Sequence, residues 1–383
     1  MHHDVSITRK LSLRPVLERR SCFLFGPRQT GKSWMIRDQF AGCKVYNLLN
    51  SSTFITLSQS PARIRQELGP GDRIVVIDEI QKLPTLLDEV QLMIEEQGVT
   101  FLLTGSSARK LRRGGVNLLG GRARVRHLHP FIRDELGDRF DLLRALDIGL
   151  LPSIYLSDEP YTDLASYAGV YLREEIAAEA VVRNVPAFSR FLTVAALCHG
   201  QIVNQSNVAA DAQVSRTTVH EYYEILRDTL MGFELPAWKK TIKRKPFSTS
   251  KFYLFDSGVA RSLQHRKGLQ FGATECGEAF ETYIFHEIRA YLDYTDAEAD
   301  VAYWRSTSGF EVDFVLGDAT AIEVKAKANV AGHDLKGLRA LKEETTLKHY
   351  IVVSLEDSPR VVDDIKIWPW EVFLQALWEG ELL

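Results

Sequence analysis

Cysteine is scarce in this sequence. Its four residues, Cys22, Cys43, Cys198 and Cys276, form no C-x-x-C pair and are too few across 383 residues to frame a disulfide scaffold. Long apolar runs are missing too: Ile74-Val75-Val76-Ile77 is typical of those present, well short of the roughly 18 residues a helical membrane span needs. Met1 to Leu13 carries charges and no apolar core of the signal-peptide kind. These absences point to a reducing cytoplasm and to no membrane partner. Neither charge sign dominates, since 47 Lys and Arg stand against 50 Asp and Glu for a formal net charge of −3. Attachment to polyanions is therefore not forced by the chain as a whole, and a nucleic-acid surface has to be local. Apolar residues at 45% and charged residues at 25% exclude disorder, collagen and coiled coil as whole-chain descriptions. The length fits roughly two or three domains.

The charge is in fact local. Arg109, Lys110, Arg112, Arg113, Arg122, Arg124 and Arg126 lie in a stretch without an acid. A second acid-free stretch holds Lys239, Lys240, Lys243, Arg244, Lys245 and Lys251. Each reads either as a solvated loop or as a polyanion contact, and the motifs beside them favour nucleic acid.

Residues 20–130 alternate short β-rich runs with helical stretches, the pattern of a parallel α/β sheet. Strands are predicted over Cys22–Gly26, Lys44–Leu48, Arg73–Asp78 and Thr100–Gly105, and helices over Lys32–Phe40, Pro61–Leu68 and Leu86–Glu96. Gly26-Pro27-Arg28-Gln29-Thr30-Gly31-Lys32-Ser33 matches G-x-x-x-x-G-K-[ST] between a strand and a helix, the context of a phosphate-binding loop. There the glycines let backbone N–H groups wrap phosphates, Lys32 neutralises their charge, and the Ser33 hydroxyl ligates Mg²⁺. A buried apolar strand then ends in Asp78 and Glu79. Asp78 suits the Mg²⁺ shell and Glu79 suits polarising the attacking water, so the pair implies ATP hydrolysis. The next strand ends in Thr104-Gly105-Ser106-Ser107, whose hydroxyls suit sensing the terminal phosphate.

Gly26 to Ser33, Ile77-Asp78-Glu79-Ile80-Gln81-Lys82-Leu83-Pro84 and Leu103-Thr104-Gly105-Ser106-Ser107 resemble the prokaryotic AAA+ ATPases of the AAA_14 type that carry a C-terminal DUF4143 domain. The resemblance implies an AAA+ core and a homo-oligomer, ring or partial ring, assembled around shared ATP sites. Such sites usually borrow an arginine from the neighbouring subunit. Leu119-Gly120-Gly121-Arg122 resembles the family's Gly-Arg element, which makes Arg122 the candidate; a phosphate or DNA contact is the alternative for it.

Residues 130–235 show helical periodicity and almost no strand signal. Ile202 to Leu226 reads as two helices about a tight turn, with Ser215 capping the second and Arg216, Thr217, Thr218 and His220 at its exposed start, where a recognition helix touches DNA. Strand-like runs around Lys239–Lys245 and Lys251–Phe255 enclose a basic turn with Lys243, Arg244 and Lys245, a pattern resembling a winged helix. A helical lid or subunit contact is the alternative.

Glu311-Val312-Asp313-Phe314-Val315-Leu316, a tight turn, and Ala321-Ile322-Glu323-Val324-Lys325 give strand, turn, strand. Alternation puts Glu323 and Lys325 on one face and a hairpin brings Asp313 alongside. Two carboxylates sharing a site repel unless a cation joins them, and oxygen ligands suit Mg²⁺ or Mn²⁺. Lys325 would orient or deprotonate the nucleophile. The arrangement resembles the PD-(D/E)XK nucleases, which often add an acid from the preceding helix. Glu281, after Phe280, matches that pattern, and Glu278 is the weaker choice.

The expected architecture is α/β. It comprises a P-loop AAA+ core over 1–130, a helical connector over 131–195, a winged helix over 196–268 and a nuclease-like domain over 269–383. The expected function is an ATPase that oligomerises, binds DNA and cleaves it with a divalent metal. The alternatives are a DNA-binding ATPase switch or a protein remodeller whose nuclease-like domain is only a scaffold.

Overall fold

In the computed structural model, which describes residues 7–106, 111, 119–171 and 184–383, apolar runs early in the chain become one parallel sheet. Its strands are β1 Ser21–Phe25, β2 Lys44–Asn47, β3 Ile74–Asp78, β4 Thr100–Gly105 and β5 Ala123–His127, in the order β2-β3-β4-β1-β5. Every residue of β1 is buried, as expected of a strand covered on both faces. Around the sheet lie α1 Arg14–Leu17, α2 Lys32–Gln39, α3 Ser51–Gln59, α4 Arg63–Glu67 and α5 Leu86–Gln97. Phe23, Val75, Ile77, Phe101 and Leu103 pack with Leu86, Val90 and Met93 of α5 in one core. This first unit runs to Phe140 and takes in Leu151–Ser153 and Asp228–Met231.

The first four strands, α2 and α5 lie where the sequence places them, within a residue or so. Three features differ. Helix α3 was not expected from its hydroxyl-rich sequence; Asn50 caps it by accepting from the Ser52 and Thr53 amides. Helix α4 begins at Arg63, two residues after the expected Pro61. Strand β5 runs through the first basic stretch and carries Arg124 and Arg126 at the sheet edge, so it lacks the apolar run that marks the other four.

Arg9 ties this unit together. It is 4% exposed, pairs with Glu135 at 2.9 Å and donates to the carbonyls of Thr30 and, at 2.6 Å, His129. One side chain thus holds the end of the phosphate-loop motif against the segment that follows β5.

The second unit holds most of the remaining chain. It begins with α6 Leu142–Ile148 and includes α7 Val185–Leu197, α8 Gln205–Ala212, α9 Arg216–Asp228 and α10 Ser257–Leu263. Strands β6 Gln201–Ile202, β7 Gly232–Leu235 and β8 Lys251–Leu254 form a small sheet in the order β6-β8-β7. Phe188 and Phe191 of α7 pack edge-on against Tyr222 and Tyr223 of α9 at 4.9 Å each. No strand covers Lys239–Lys245. The strand that pairs with β8 is Gly232–Leu235, further upstream. The basic segment instead runs beside the next sheet, where the Trp238 and Phe247 amides donate to the carbonyls of Tyr303 and Arg305.

That next sheet has six strands in the order β13-β14-β12-β11-β10-β9. They are β9 Val301–Arg305, β10 Glu311–Leu316, β11 Thr320–Lys325, β12 His349–Ser354, β13 Arg360–Val362 and β14 Ile365–Pro369. Helices α11 Thr274–Thr295, α12 Lys336–Lys342 and α13 Trp370–Trp378 pack around it. The hairpin of β10 and β11 is antiparallel, as the sequence implies. A bulge against β9 falls between Val312 and Val315, at Asp313 and Phe314.

Arg9→Ala should lower the stability of the first unit by about 3 kcal/mol or more, because it leaves the Glu135 carboxylate buried without its cation. A lower urea midpoint for the transition that reports on the first unit checks this. The double variant Arg9→Ala, Glu135→Gln should be less harmed than the sum of the two single variants.

Candidate functional site

The motif Gly26 to Ser33 forms the turn between β1 and α2. Gly31 sits at φ 94° and Gln29 at φ 63°, so the loop turns through two left-handed residues, one of them a glycine. A Cβ on Gly26 would strike the Leu128 carbonyl. Thr30 is fully buried and its hydroxyl donates to the Pro27 carbonyl at 2.8 Å. Gln29 accepts from Ser153 at 2.7 Å, and Arg28 is half-buried. Lys32 lies inside the loop, 6% exposed, donating to the Gly26 and Pro27 carbonyls at 2.7 and 2.9 Å.

Asp78 ends β3 two strands away, yet its Oδ2 lies 3.3 Å from the Ser33 hydroxyl. Thr104 donates to its other oxygen. A hydroxyl and an oriented carboxylate are donors that suit Mg²⁺. Glu79 follows in the left-handed region at φ 62°, which turns it out of the strand direction. Gln81, not singled out from the sequence, donates to Glu79 and, at 3.3 Å, to Ser106. It therefore joins the two strand tips the sequence singles out. Ser107 lies outside the described residues, as do Arg109, Lys110, Arg112 and Arg113. Arg122 pairs with Glu95 of α5 at 2.8 Å, both side chains being exposed.

The second constellation assembles in one cavity of about 550 Å³. Glu281 from α11, Asp313 from β10, and Glu323 and Lys325 from β11 all line it. Asp313 and Glu323 are each 7% exposed. The bulge in β10 turns Asp313 so that it accepts from the Val324 amide at 2.8 Å. Lys325 lies 2.5 Å from Glu323 Oε1, while Glu323 Oε2 is buried without a hydrogen-bond partner. Burial, then the Asp313 charge, push the Glu281 carboxyl up to about 7. The same causes hold Glu323 well above the usual carboxylate range. Glu278 is not in this cavity; it accepts from Gln264 at 2.9 Å.

Three further charges share the cavity: Lys251, Arg305 and Glu311. Lys251 is 4% exposed, pairs with Glu311 at 2.7 Å and Glu281 at 3.5 Å, and lies over the Tyr303 ring. Burial lowers its affinity for a proton, but the carboxylates around it override this and raise it. Lys251 belongs to the second acid-free stretch of the sequence, where it reads as a polyanion contact. It is instead a buried counter-ion of the carboxylates, because β8 carries it away from the turn. Glu311 stands two residues before Asp313, and strand alternation was the signal that could have found it. Lys251 and Arg305 have no such local signal. Among the described residues no group of three or more His, Cys, Asp or Glu is arranged to hold a metal ion; the carboxylates here converge on ammonium groups.

The expected DNA contacts divide. Arg216 and Thr217 are exposed at the start of α9, and Arg216 lines a groove of about 510 Å³. Lys243 and Lys245 are exposed. Arg244 is not a free cation: it binds Glu344 at 2.7 Å and Glu343 at 2.6 Å. The Ile242, Lys243 and Arg244 amides donate to the same Glu344 carboxylate. Arg244 therefore pins the turn down. Lys240 likewise pairs with Asp318. No helix among the described residues is long and apolar enough to cross a membrane.

With this geometry in place, three family models match. Residues 18–137 match an AAA domain (AAA_14), 139–270 a domain of unknown function (DUF8612) and 276–373 a domain of unknown function (DUF4143). The first and last agree with the resemblance seen in the motifs. "Uncharacterized protein Rv2008c" of Mycobacterium tuberculosis is 24% identical over 314 residues, 79% of this chain and 69% of that protein. "Uncharacterized protein Mb2031c" of Mycobacterium bovis gives the same figures. Among solved structures, the ORC1 protein of Aeropyrum pernix in complex with DNA is 16% identical, covering 68% of this chain and 93% of that one, with a TM-score of 0.27. The replication initiator DnaA bound to AMPPCP and single-stranded DNA is 12% identical, covering 56% and 86%, with a TM-score of 0.29. The chain is thus similar to AAA ATPases over its first third and to DUF4143 domains at its C-terminal end.

Proposed function

We propose that the chain is an ATP-hydrolysing AAA+ protein that works on DNA, with a metal-dependent nuclease centre in its second unit. The observation that carries the ATPase half is the meeting of Ser33 and Asp78 at 3.3 Å beside the phosphate loop. Mg²⁺ bound there supplies charge neutralisation for the phosphates. Lys32 adds its own charge once it leaves the loop carbonyls. Glu79, steadied by Gln81, polarises the attacking water. Assembly with Arg122 reaching a neighbouring subunit's nucleotide belongs to this reading. It requires the Glu95 pair to open, and an exposed pair of that kind is weak.

The nuclease half rests on the orphaned Glu323 Oε2 in a cavity that also holds Asp313 and Glu281. A buried carboxylate oxygen without a partner fits a cation, and Asp313 and Glu323 are the residues that would hold Mg²⁺ or Mn²⁺; Glu281, engaged by Tyr253 and Lys251, would join them only by leaving those partners. Such an ion supplies Lewis-acid stabilisation of the phosphate charge. Lys325 orients the nucleophile. The order helix, strand, helix pair, two strands over 185–254 supports a winged-helix reading, with Arg216, Thr217, Lys243 and Lys245 as its DNA contacts. A second reading keeps the nuclease fold only as a scaffold. It is favoured by Lys251 and Lys325, which already neutralise part of the carboxylate charge.

Lys32→Ala should lower ATP affinity about tenfold or more, through loss of a charge-assisted phosphate contact. Glu79→Gln should bind ATP as the parent does but turn over about a hundredfold more slowly. Nucleotide-binding titration and phosphate release separate the two effects; normal turnover in Glu79→Gln would remove Glu79 from its role.

Asp313→Ala and Glu323→Ala should each cut Mn²⁺-dependent DNA cleavage by about a hundredfold or more while sparing ATP turnover. Lys325→Ala should lose cleavage and retain Mn²⁺ binding by calorimetry, since an ammonium is no ligand. The scaffold reading expects neither cleavage nor calorimetric Mn²⁺ binding in the parent protein.

A further inference from the structure

The carboxylate cavity and the groove beside α9 adjoin, sharing Ile202 in their linings, and make up one candidate channel. Residues 200–206, from β6 into α8, border both: Gln201 and Ile202 line the first, Ile202 to Ser206 the second. Ser250, just before β8, lines the second, and Lys251, the first residue of β8, lines the first. Arg305 of the first lies over the Phe247 ring of the second at 5.3 Å, and the Phe247 amide donates to the Arg305 carbonyl at 2.9 Å. The two parts measure about 550 and 510 Å³.

Along this channel the chemistry changes in one direction. At the outer end stands Arg216, a cation at the start of α9. Asn204, Ser206, Thr249 and Ser250 add neutral hydrogen-bonding groups to the lining, and Phe247 adds a half-buried ring, while Tyr223 is 2% exposed. Glu234 is the one acid lining this part. At the junction, Arg305 Nε is buried without a hydrogen-bond partner. The inner end holds Lys251, Lys325 and the carboxylates. Cations for phosphates, a flat ring for a base and neutral hydrogen-bonding groups are the components of a single-strand binding path.

We infer that this channel takes one strand of a polynucleotide, separated from its complement, and leads it from the start of α9 to the carboxylates. This inference deepens the nuclease reading above by naming its substrate class. Asp313 and Glu323 lie on the cavity floor with 7% exposure each. A duplex is a broad, stiff cylinder that a cavity of about 550 Å³ does not admit, whereas one strand can bend into it. A single strand can turn a base to Phe247 and its phosphates to Arg216 and Arg305.

The test uses the full chain in EDTA, where cleavage plays no part. A labelled 15-residue oligothymidylate, a blunt duplex of equal length and an oligouridylate are compared by fluorescence anisotropy. A bromodeoxyuridine strand is photo-crosslinked and mapped by mass spectrometry. The single strand should bind about tenfold tighter than the duplex. Crosslinks should fall on Phe247. Arg216→Gln and Phe247→Ala should each weaken single-strand binding about fivefold or more. Arg216 is exposed, so its variant stays informative if Phe247→Ala unfolds. Equal binding of the oligouridylate supports a polynucleotide channel indifferent to the 2′-hydroxyl. Tighter binding of the duplex, crosslinks confined to the first unit, or single-strand binding that ignores Arg216→Gln would overturn the inference. A strand that crosslinks in the channel yet survives Mn²⁺ would retire the nuclease reading and leave the channel standing.

Discussion

Asp313 and Glu323 lie side by side in the second unit with almost no access to water, and the surrounding structure answers that constraint. Removing a carboxylate from water costs several kcal/mol even after relaxation, and two that share a site repel each other as well. Burial and mutual charge show in the raised affinity of Glu281 and Glu323 for protons. The chain offsets this with its own cations. Lys325 comes from the same strand as Glu323 and meets it at 2.5 Å. Lys251 comes from β8, which pairs with β6 and β7 in a different sheet. The position of the small sheet is therefore part of the electrostatics of the carboxylate cavity, and a shift of β8 would strip Glu281 and Glu311 of a counter-ion.

The basic turn upstream of β8 follows from the same requirement. Its residues look like a surface offered to a polyanion when charges are counted along the sequence. In the fold, Glu344 is 1% exposed and accepts from three successive backbone amides and from Arg244. Such a buried carboxylate clamps the turn, and Arg244 is the clamp's counter-charge. Lys240 is held by Asp318 in the same way. A cluster of like charges in a sequence thus says little until the partners from distant segments are known, since pairing is decided by the fold.

The two sites differ in how much of them the sequence carried. The phosphate loop is legible because its chemistry lies within eight consecutive residues, and its backbone turns depend on Gly26 and Gly31 themselves. The hairpin with Asp313, Glu323 and Lys325 is legible because strand alternation and a tight turn fix its register. Glu281 required a family pattern. Lys251, Arg305 and Gln81 were not legible in their roles. Each acts through a neighbour brought from another element: Lys251 from β8, Arg305 from β9, and Gln81 by bridging Glu79 to Ser106. Helix α3 and strand β5 escaped for a related reason. One is stabilised by a cap and the other by an edge position, and neither leaves an apolar stripe.

A cavity that carries its own ammonium groups differs from one that waits for a metal alone. Lys251 and Lys325 keep Glu281, Glu311 and Glu323 compensated, so the fold does not depend on an outside cation to bury them. Compensation is nevertheless incomplete, since Glu323 Oε2 is buried without a hydrogen-bond partner. Four carboxylates stand against Lys251, Lys325 and Arg305, which leaves the cavity with one negative charge when all are ionised. Protonation of Glu281 or Glu323, both raised in proton affinity by burial and the Asp313 charge, removes that residual charge. For the proposed strand, Arg305 lies over Phe247 at the border of groove and cavity, where a phosphodiester would first need a counter-charge.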